Sequence, residues 1–218
     1  MKHILITGGT GNLGKVVVSK LLESGYQLHL ATREQTDTAT ENIYHYHAEL
    51  TSPESSQFLV ENILSKADNI SAGVFIAGGF VSGSLLQTSM EDINSMVQLN
   101  FATAFNSAIH LVNHFRKKGG GKLIFIGAKA AYNNSTAINN FAYSLSKQML
   151  FNFTGMINES EAAFNTTAHI LLPGTLDTVL NRQQMPDADF SEWTSTLMIA
   201  ETISNIIAGK EVKTVIEF

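Results

Sequence analysis

Thr7-Gly8-Gly9-Thr10-Gly11-Asn12-Leu13-Gly14 follows the apolar run His3-Ile4-Leu5-Ile6 and opens a segment with helical patterning. A strand that ends in a glycine-rich turn and passes straight into a helix aims backbone N–H groups and the positive helix end at one point, where a pyrophosphate binds. Gly8 allows the tight turn. Gly11 and its neighbours Thr10, Asn12 and Leu13 let backbone approach the phosphates, and Gly14 permits close packing of helix on strand. The glycines alone are a weak signal for a dinucleotide; the strand-turn-helix context gives them weight.

Outward from this turn, short apolar or β-branched runs alternate with amphipathic segments. Strands are predicted near 3–7, 27–32, 43–48, 73–77, 121–126, 167–172 and 213–217, with helices between them. This alternation predicts an α/β fold, a single doubly wound domain over 1–218 with a seven-stranded parallel sheet and helices on both faces. The polar stretch Glu34 to Glu41 reads as a surface loop, and Gly119-Gly120-Gly121 as a helix stop before a strand. At the end of the second strand, where an acidic residue would grip an adenosine ribose, stand Thr32 and then Arg33. An uncharged residue followed by arginine suits a 2′-phosphate, so NADP is the expected cofactor, with NAD, its ribose served by Glu34, as the alternative.

The 218 residues are 44% hydrophobic and 15% charged, enough for one filled core. Net charge is −5 and no basic cluster exceeds Arg116-Lys117-Lys118, which argues against nucleic acid or an anionic membrane as partner. With no cysteine, disulfides and thiolate chemistry are excluded. No apolar run approaches a membrane span and the chain enters its first strand directly, so cytoplasm is the expected compartment. His110 and His114 share a helix face but lack the glutamate of an H-E-x-x-H arrangement and a third ligand, so a packing role is expected and no metal site.

Tyr143 and Lys147 stand one helical turn apart and project from the same face. An ammonium beside a phenol favours phenolate and would draw its pKa down toward working pH, making Tyr143 a proton donor to a substrate oxygen or nitrogen as hydride arrives.

With these residues in view, the chain resembles the short-chain dehydrogenase/reductase family over essentially its whole length. Thr7 to Gly14 is similar to the family's cofactor turn, although Asn12 stands where a glycine is commoner. Ala48-Glu49-Leu50-Thr51 resembles the segment flanking the adenine, and Ile76-Ala77-Gly78-Gly79 takes the place of the Asn-Asn-Ala-Gly motif. The resemblance implies that Asn100 helps hold a proton-relay water and that Lys147 also holds the ribose. It further implies that Pro173, Gly174, Leu176 and Thr178 receive the nicotinamide. Homodimers or homotetramers formed through the helices carrying Asn100 and Tyr143 are implied too, as is a small-molecule substrate.

A narrower similarity, to the dihydropteridine reductase branch, rests on Ala77-Gly78-Gly79-Phe80, Gly127-Ala128-Lys129-Ala130-Ala131, Leu176-Asp177-Thr178 through Asn181-Arg182, and Met185-Pro186-Asp187 through Trp193-Thr194. That branch carries alanine where other members carry a catalytic serine, and Ala128 matches it. Reduction of a quinonoid ring restores conjugation and needs less carbonyl polarisation than reduction of a ketone, so the hydroxyl is dispensable. The spacing from Ala128 to Tyr143 is longer than the family's, and the added residues include Ser135 and Thr136, either of which could return a hydroxyl. Ala128 and Trp193 are the expected substrate contacts, within a pocket formed by the Gly79 to Leu85 loop and the Thr178 to Trp193 segment. Three readings stand: a general reductase of the family, a pterin-recycling enzyme, and a catalytically silent dinucleotide-binding regulator.

Overall fold

A computed structural model describes residues 2–34 and 39–218. In chain order these form β1 (His3–Thr7), α1 (Asn12–Glu23), β2 (Gln27–Thr32), β3 (Ala39–Thr40), β4 (Ile43–His47), α2 (Pro53–Lys66), β5 (Ile70–Phe75) and α3 (Met90–Val97). A π-helical stretch, Gln98–Ala102, leads into α4 (Thr103–Lys118), β6 (Gly121–Ile126), α5 (Lys129–Tyr132), α6 (Asn134–Ala137) and α7 (Phe141–Glu161). The chain ends with β7 (Thr166–Leu172), β8 (Leu176–Asp177), α8 (Val179–Gln184), β9 (Thr194–Ser195), α9 (Thr196–Ala208) and β10 (Val215–Glu217).

The main sheet has eight strands in the order β10-β7-β6-β5-β1-β2-β4-β3. All neighbours are parallel except β3 and β4. The eighth strand is the departure from expectation. Ala39 and Thr40 pair back on Tyr44 and Ile43 across Glu41-Asn42, with Asn42 at φ 65. Asn tolerates the left-handed region this two-residue turn needs, and nothing in so polar a stretch alternates strongly enough to announce a strand. Of the loop expected from Glu34 to Glu41, residues 35–38 lie outside the described residues.

Side chains alternate between the two sheet faces. Leu5, Leu123, Phe125 and Ile170 pack with α2, α4 and α7 through Leu59, Ile63, Leu111, Phe115, Leu150 and Ile157. Ile4, Ile6, Ile124 and Leu171 pack with α1 and α9 through Val17, Leu21, Ile199, Ile203 and Ile206. Each such fully buried side chain contributes about 1.5–3 kcal/mol of burial free energy. Helix ends follow local chemistry. Ser52 caps α2 ahead of Pro53, Ser89 and Asp92 form a capping box on α3, and α4 stops at Gly119 with φ 86.

Strand order reverses direction at β1: β2 lies on one side and β5 on the other. The carboxyl ends of β1 and β5 diverge there and open a crevice. β5 ends at Phe75 and not at 77, because Ile76 N–H donates to the Thr7 carbonyl (3.2 Å) and Ala77 N–H to Thr7 Oγ1 (3.3 Å), which turns the chain across the end of β1.

Candidate active site

The crevice is a cleft of about 650 Å³. Its floor is the β1–α1 turn. Gly8 has φ 70, and a Cβ there would lie 2.6 Å from Ala77 N; a Cβ on Gly14 would lie 2.1 Å from the Gly8 carbonyl oxygen. Both glycines are thus demanded by contact between backbones, one by its positive φ as well. α1 starts at Gly11 with no side-chain cap, so its first N–H groups remain to meet an anion at the positive end of the helix. Thr10, Gly11, Asn12 and Leu13 line this end of the cleft. The residues fit a dinucleotide phosphate.

One wall holds the residues expected at the adenosine end: Thr32, Arg33, Glu49 and Leu50. Thr32 Oγ1 accepts from Glu34 N–H (3.0 Å) and donates to the Glu34 carbonyl (3.3 Å), so this hydroxyl shapes a turn. Arg33 is exposed at the rim. Glu49 accepts from the Thr51 hydroxyl (2.8 Å) and N–H (3.3 Å); these bonds hold its carboxyl below the usual range, with Arg33 and His47 adding to the effect.

The opposite wall carries Ala77, Gly78, Gly79, Asn100, Tyr143, Lys147, Pro173, Gly174, Leu176 and Thr178, so the topology brings every predicted catalytic and cofactor residue to one cleft. Asn100 is buried in the π-helical stretch, an irregularity that re-aims side chains within a helix. Its Oδ1 accepts from Gly79 N–H (3.0 Å), and its Nδ2 donates to the Gly79 carbonyl (3.1 Å) and to Ser146 Oγ (3.0 Å). The side chain is committed to fixing the loop after β5, at Gly79, against Ser146 of α7. A Cβ on Gly78 would lie 2.4 Å from that Oδ1, which explains the small residues here.

Lys147 Nζ is buried, donates to the Ile126 carbonyl at 2.8 Å, and lies 5.8 Å from the Tyr143 ring centroid. Burial sets both titrations. It pushes the Lys147 amine down to about 8 and the Tyr143 phenol up to about 12. The expected lowering of the phenol by its lysine is therefore not what this arrangement does: desolvation of the phenolate outweighs attraction from an ammonium spent on a carbonyl. Tyr143 keeps its proton at neutral pH.

Ala128 and Trp193 do not line the cleft. Ala128 is buried, next in the chain to Gly127, which does line the cleft. Trp193 is half-buried and meets Phe190 edge to face at 4.7 Å. Ser135 and Thr136 do not line the cleft either. Both are exposed and bound to Asn133, Ser135 Oγ to its Oδ1 and Thr136 Oγ1 to its carbonyl, each at 2.8 Å. The longer loop is taken up by the short helices α5 and α6.

Two cleft residues fall within the narrower resemblance but were not among the expected site residues. Phe80, 63% exposed, meets the Tyr143 ring edge to face at 5.0 Å. It is placed there because Gly83 bridges Asn140, with Gly83 N–H donating to Asn139 O and Phe141 N–H to Gly83 O, each at 2.9 Å. An aromatic directly after the Ala-Gly-Gly strand end was the available clue. Asn181 lines the cleft from α8, and its Nδ2 donates to the Leu176 carbonyl at 2.8 Å. His114 is a structural residue, accepting from Ile70 N–H at 3.2 Å.

No helix among the described residues is long and apolar enough to cross a membrane. The chain is 27% identical over 206 residues to a dihydropteridine reductase of Dictyostelium discoideum, spanning 93% of this chain and 86% of that one. It is 24% identical over 195 residues to a 2,3-dihydro-2,3-dihydroxybenzoate dehydrogenase of Escherichia coli, at 88% and 76% coverage. Its fold matches that of ElxO with NADP bound, with a TM-score of 0.90 at 20% identity over 99% of this chain and 96% of that one. A family model described as short chain dehydrogenase matches residues 2–189. The chain belongs to the short-chain dehydrogenase family and is an NAD(P)-dependent oxidoreductase.

Proposed function

We propose that this protein is an NADPH-preferring reductase of a small conjugated, quinonoid-type substrate, with Tyr143 as proton donor. The observation that carries this reading is Tyr143 at the cleft wall, its phenol held protonated by burial, beside the buried Lys147 and under the ring of Phe80. When bound, the dinucleotide supplies the hydride. The uncapped start of α1 holds its pyrophosphate, Arg33 meets a 2′-phosphate, and the remaining Lys147 N–H donors hold ribose hydroxyls. Tyr143 gives its Oη proton to the substrate heteroatom that gains electron density, and Asn100 keeps Gly79 and α7 in register around it. Phe80 offers an aromatic edge to a planar substrate, while Ala128, Ser135 and Thr136 bring no hydroxyl into the cleft.

The second reading, dihydropteridine reduction proper, is favoured by the similarity to the Dictyostelium enzyme over nearly the full chain. A silent regulator fits less well, since it gives no reason to retain an amine whose burial opposes its charge. The protein acts as one domain over 1–218, with cytoplasm as the expected compartment. Exposed Phe105 and Ile109 on α4 and Met149 and Met156 on α7 support pairing as a homodimer or homotetramer.

The test is Tyr143→Phe assayed with NADPH on quinonoid dihydropterin, quinones and simple ketones. Removing a general acid is expected to slow turnover by about 10²–10⁴-fold and leave NADPH affinity unchanged. Full activity in the variant removes Tyr143 from the mechanism, and faster turnover of simple ketones by the wild type refutes the conjugated-substrate reading.

A further inference from the structure

α8 is a six-residue helix with no buried residue. Val179, Leu180 and Met185 are 74%, 48% and 41% exposed, so no core holds this helix against the cleft that Thr178 and Asn181 line. Its place is set by polar contacts. Thr178 Oγ1 caps it by accepting from Asn181 N–H at 3.1 Å, and Asn181 Nδ2 reaches back to the Leu176 carbonyl.

A third tie runs through Arg182. Its guanidinium forks onto Asp177 of β8, Nε to Oδ1 at 2.6 Å and Nη2 to Oδ2 at 2.9 Å. The same guanidinium lies over the Phe190 ring, 4.6 Å from its centroid, and Phe190 in turn meets Trp193 edge to face. β8 and β9 pair Leu176 with Thr194 and Asp177 with Ser195, closing the base of the segment. One side chain thus joins the strand before the segment, the helix at its start and the aromatic pair at its end.

We infer that Arg182 is a positioning residue for the reductase reaction: through its fork on Asp177 and its face on Phe190 it holds α8, and with it Asn181, in the arrangement that receives the substrate. The inference rests on the reductase reading of the cleft. Arginine is required because only a planar guanidinium offers a carboxylate two parallel donors and an aromatic ring a flat face at once; lysine offers a single point charge. Asp177 and Arg182 are both partly open to solvent, so the pair adds little to global stability. Its effect is local, on how much of the time α8 stands ready, and a binding-competent fraction that falls raises the apparent dissociation constant in proportion.

Trp193 is the chain's one tryptophan, so its emission reports this segment directly. The experiment compares wild type, Arg182→Met and Arg182→Lys by Trp193 emission, acrylamide quenching, melting temperature and steady-state kinetics with NADPH and quinonoid dihydropterin. In Arg182→Met the emission is expected to shift to the red and quench more readily. KM for the pterin is expected to rise by about tenfold with kcat within about twofold, and the melting temperature to stay within about 2 °C. Arg182→Lys is expected to behave like Arg182→Met. An unchanged KM, or a lysine variant with wild-type KM and emission, overturns the inference. The fluorescence needs no substrate, which separates the two readings. If the wild type reduces nothing in the panel but Trp193 loosens only when Arg182 is replaced, the reductase reading alone fails; if Trp193 is unmoved, the tie fails too.

Discussion

Where the cleft meets β1 and the start of α1, its surface is backbone held by backbone: Gly8 against Ala77, Gly14 against Gly8, and a helix start with no side chain across it. Where it meets the loop after β5 and the segment carrying α8, the surface is side chain held by side chain. There Phe80 leans on Tyr143, Arg182 is forked on Asp177, and Leu85, Leu86, Val179 and Leu180 remain exposed. The first half keeps one shape, since moving it would drive backbone into backbone. The second half can change occupant by changing a few side chains, which is how one fold serves many reductions. Lys147 stands at the seam, lining the cleft with its ammonium tied to the Ile126 carbonyl.

The seam offers the largest test. Burial lowers the Lys147 amine from 10.5 to about 8, so the unfolded chain binds this proton more tightly than the folded one. Below pH 8 both states are charged and the full penalty of burying the charge is present. As pH rises from about 8 to 10.5 the folded amine is already neutral while the unfolded one still holds its proton, so stability increases through that window. Relative to Lys147→Met, which has no such proton, wild type is expected to gain up to about 3 kcal/mol across it, at about 1.4 kcal/mol for each step of one in pH. Tyr143, raised to about 12, works in the opposite direction above pH 10 but is present in both proteins and cancels. Denaturant unfolding at pH 7.5 and pH 10 measures the difference. A difference that does not change with pH would mean that Lys147 is not buried as a base, and the seam would lose its electrostatic character.

A second test addresses the backbone-built half. Arg33 is exposed at the rim, so its removal should leave the turn intact and act only on charge. Arg33→Ala is expected to weaken NADPH binding by about tenfold and NADH binding by much less, since one charge-assisted contact is lost only from the 2′-phosphate. Titration of both cofactors by fluorescence measures this. Equal losses would show that Arg33 recognises something the two share and would end the NADP preference.

The same division explains what could be read in advance. Gly8, Gly11 and Gly14 lie within seven consecutive residues, and their spacing is itself the constraint, so the β1–α1 turn and the strands next to it were legible in the sequence. The pairing of Tyr143 with Lys147 was legible because a helix fixes which residues share a face. Their titration was not, since burial and the Ile126 carbonyl come from distant parts of the chain. Phe80 could not be placed over Tyr143 without the Gly83–Asn140 bridge, which joins segments far apart in sequence. Nor could the location of Ala128, because two short helices absorb the longer loop and its serine and threonine turn onto Asn133. β3 was hidden by its shortness and polarity.

The smallest expected effect belongs to Ala128, and it is the sharpest test of the side-chain-built half. If Ala128 marked a place where a hydroxyl could assist the reaction, Ala128→Ser would raise turnover of ketones, which need polarisation most. Ala128 is buried and does not line the cleft, so a hydroxyl there meets protein and not substrate. The variant is therefore expected to reduce simple ketones at a rate within about twofold of wild type and to lose about 1 kcal/mol of stability if the new hydroxyl finds no partner. Steady-state rates on a ketone panel, with a parallel unfolding curve, decide it. A tenfold gain on ketones would place Ala128 at the reacting atoms after all, and would require the wall around Gly127 to open when substrate binds. No gain leaves substrate choice to the groups that do line the cleft, Phe80, Asn181 and Tyr143.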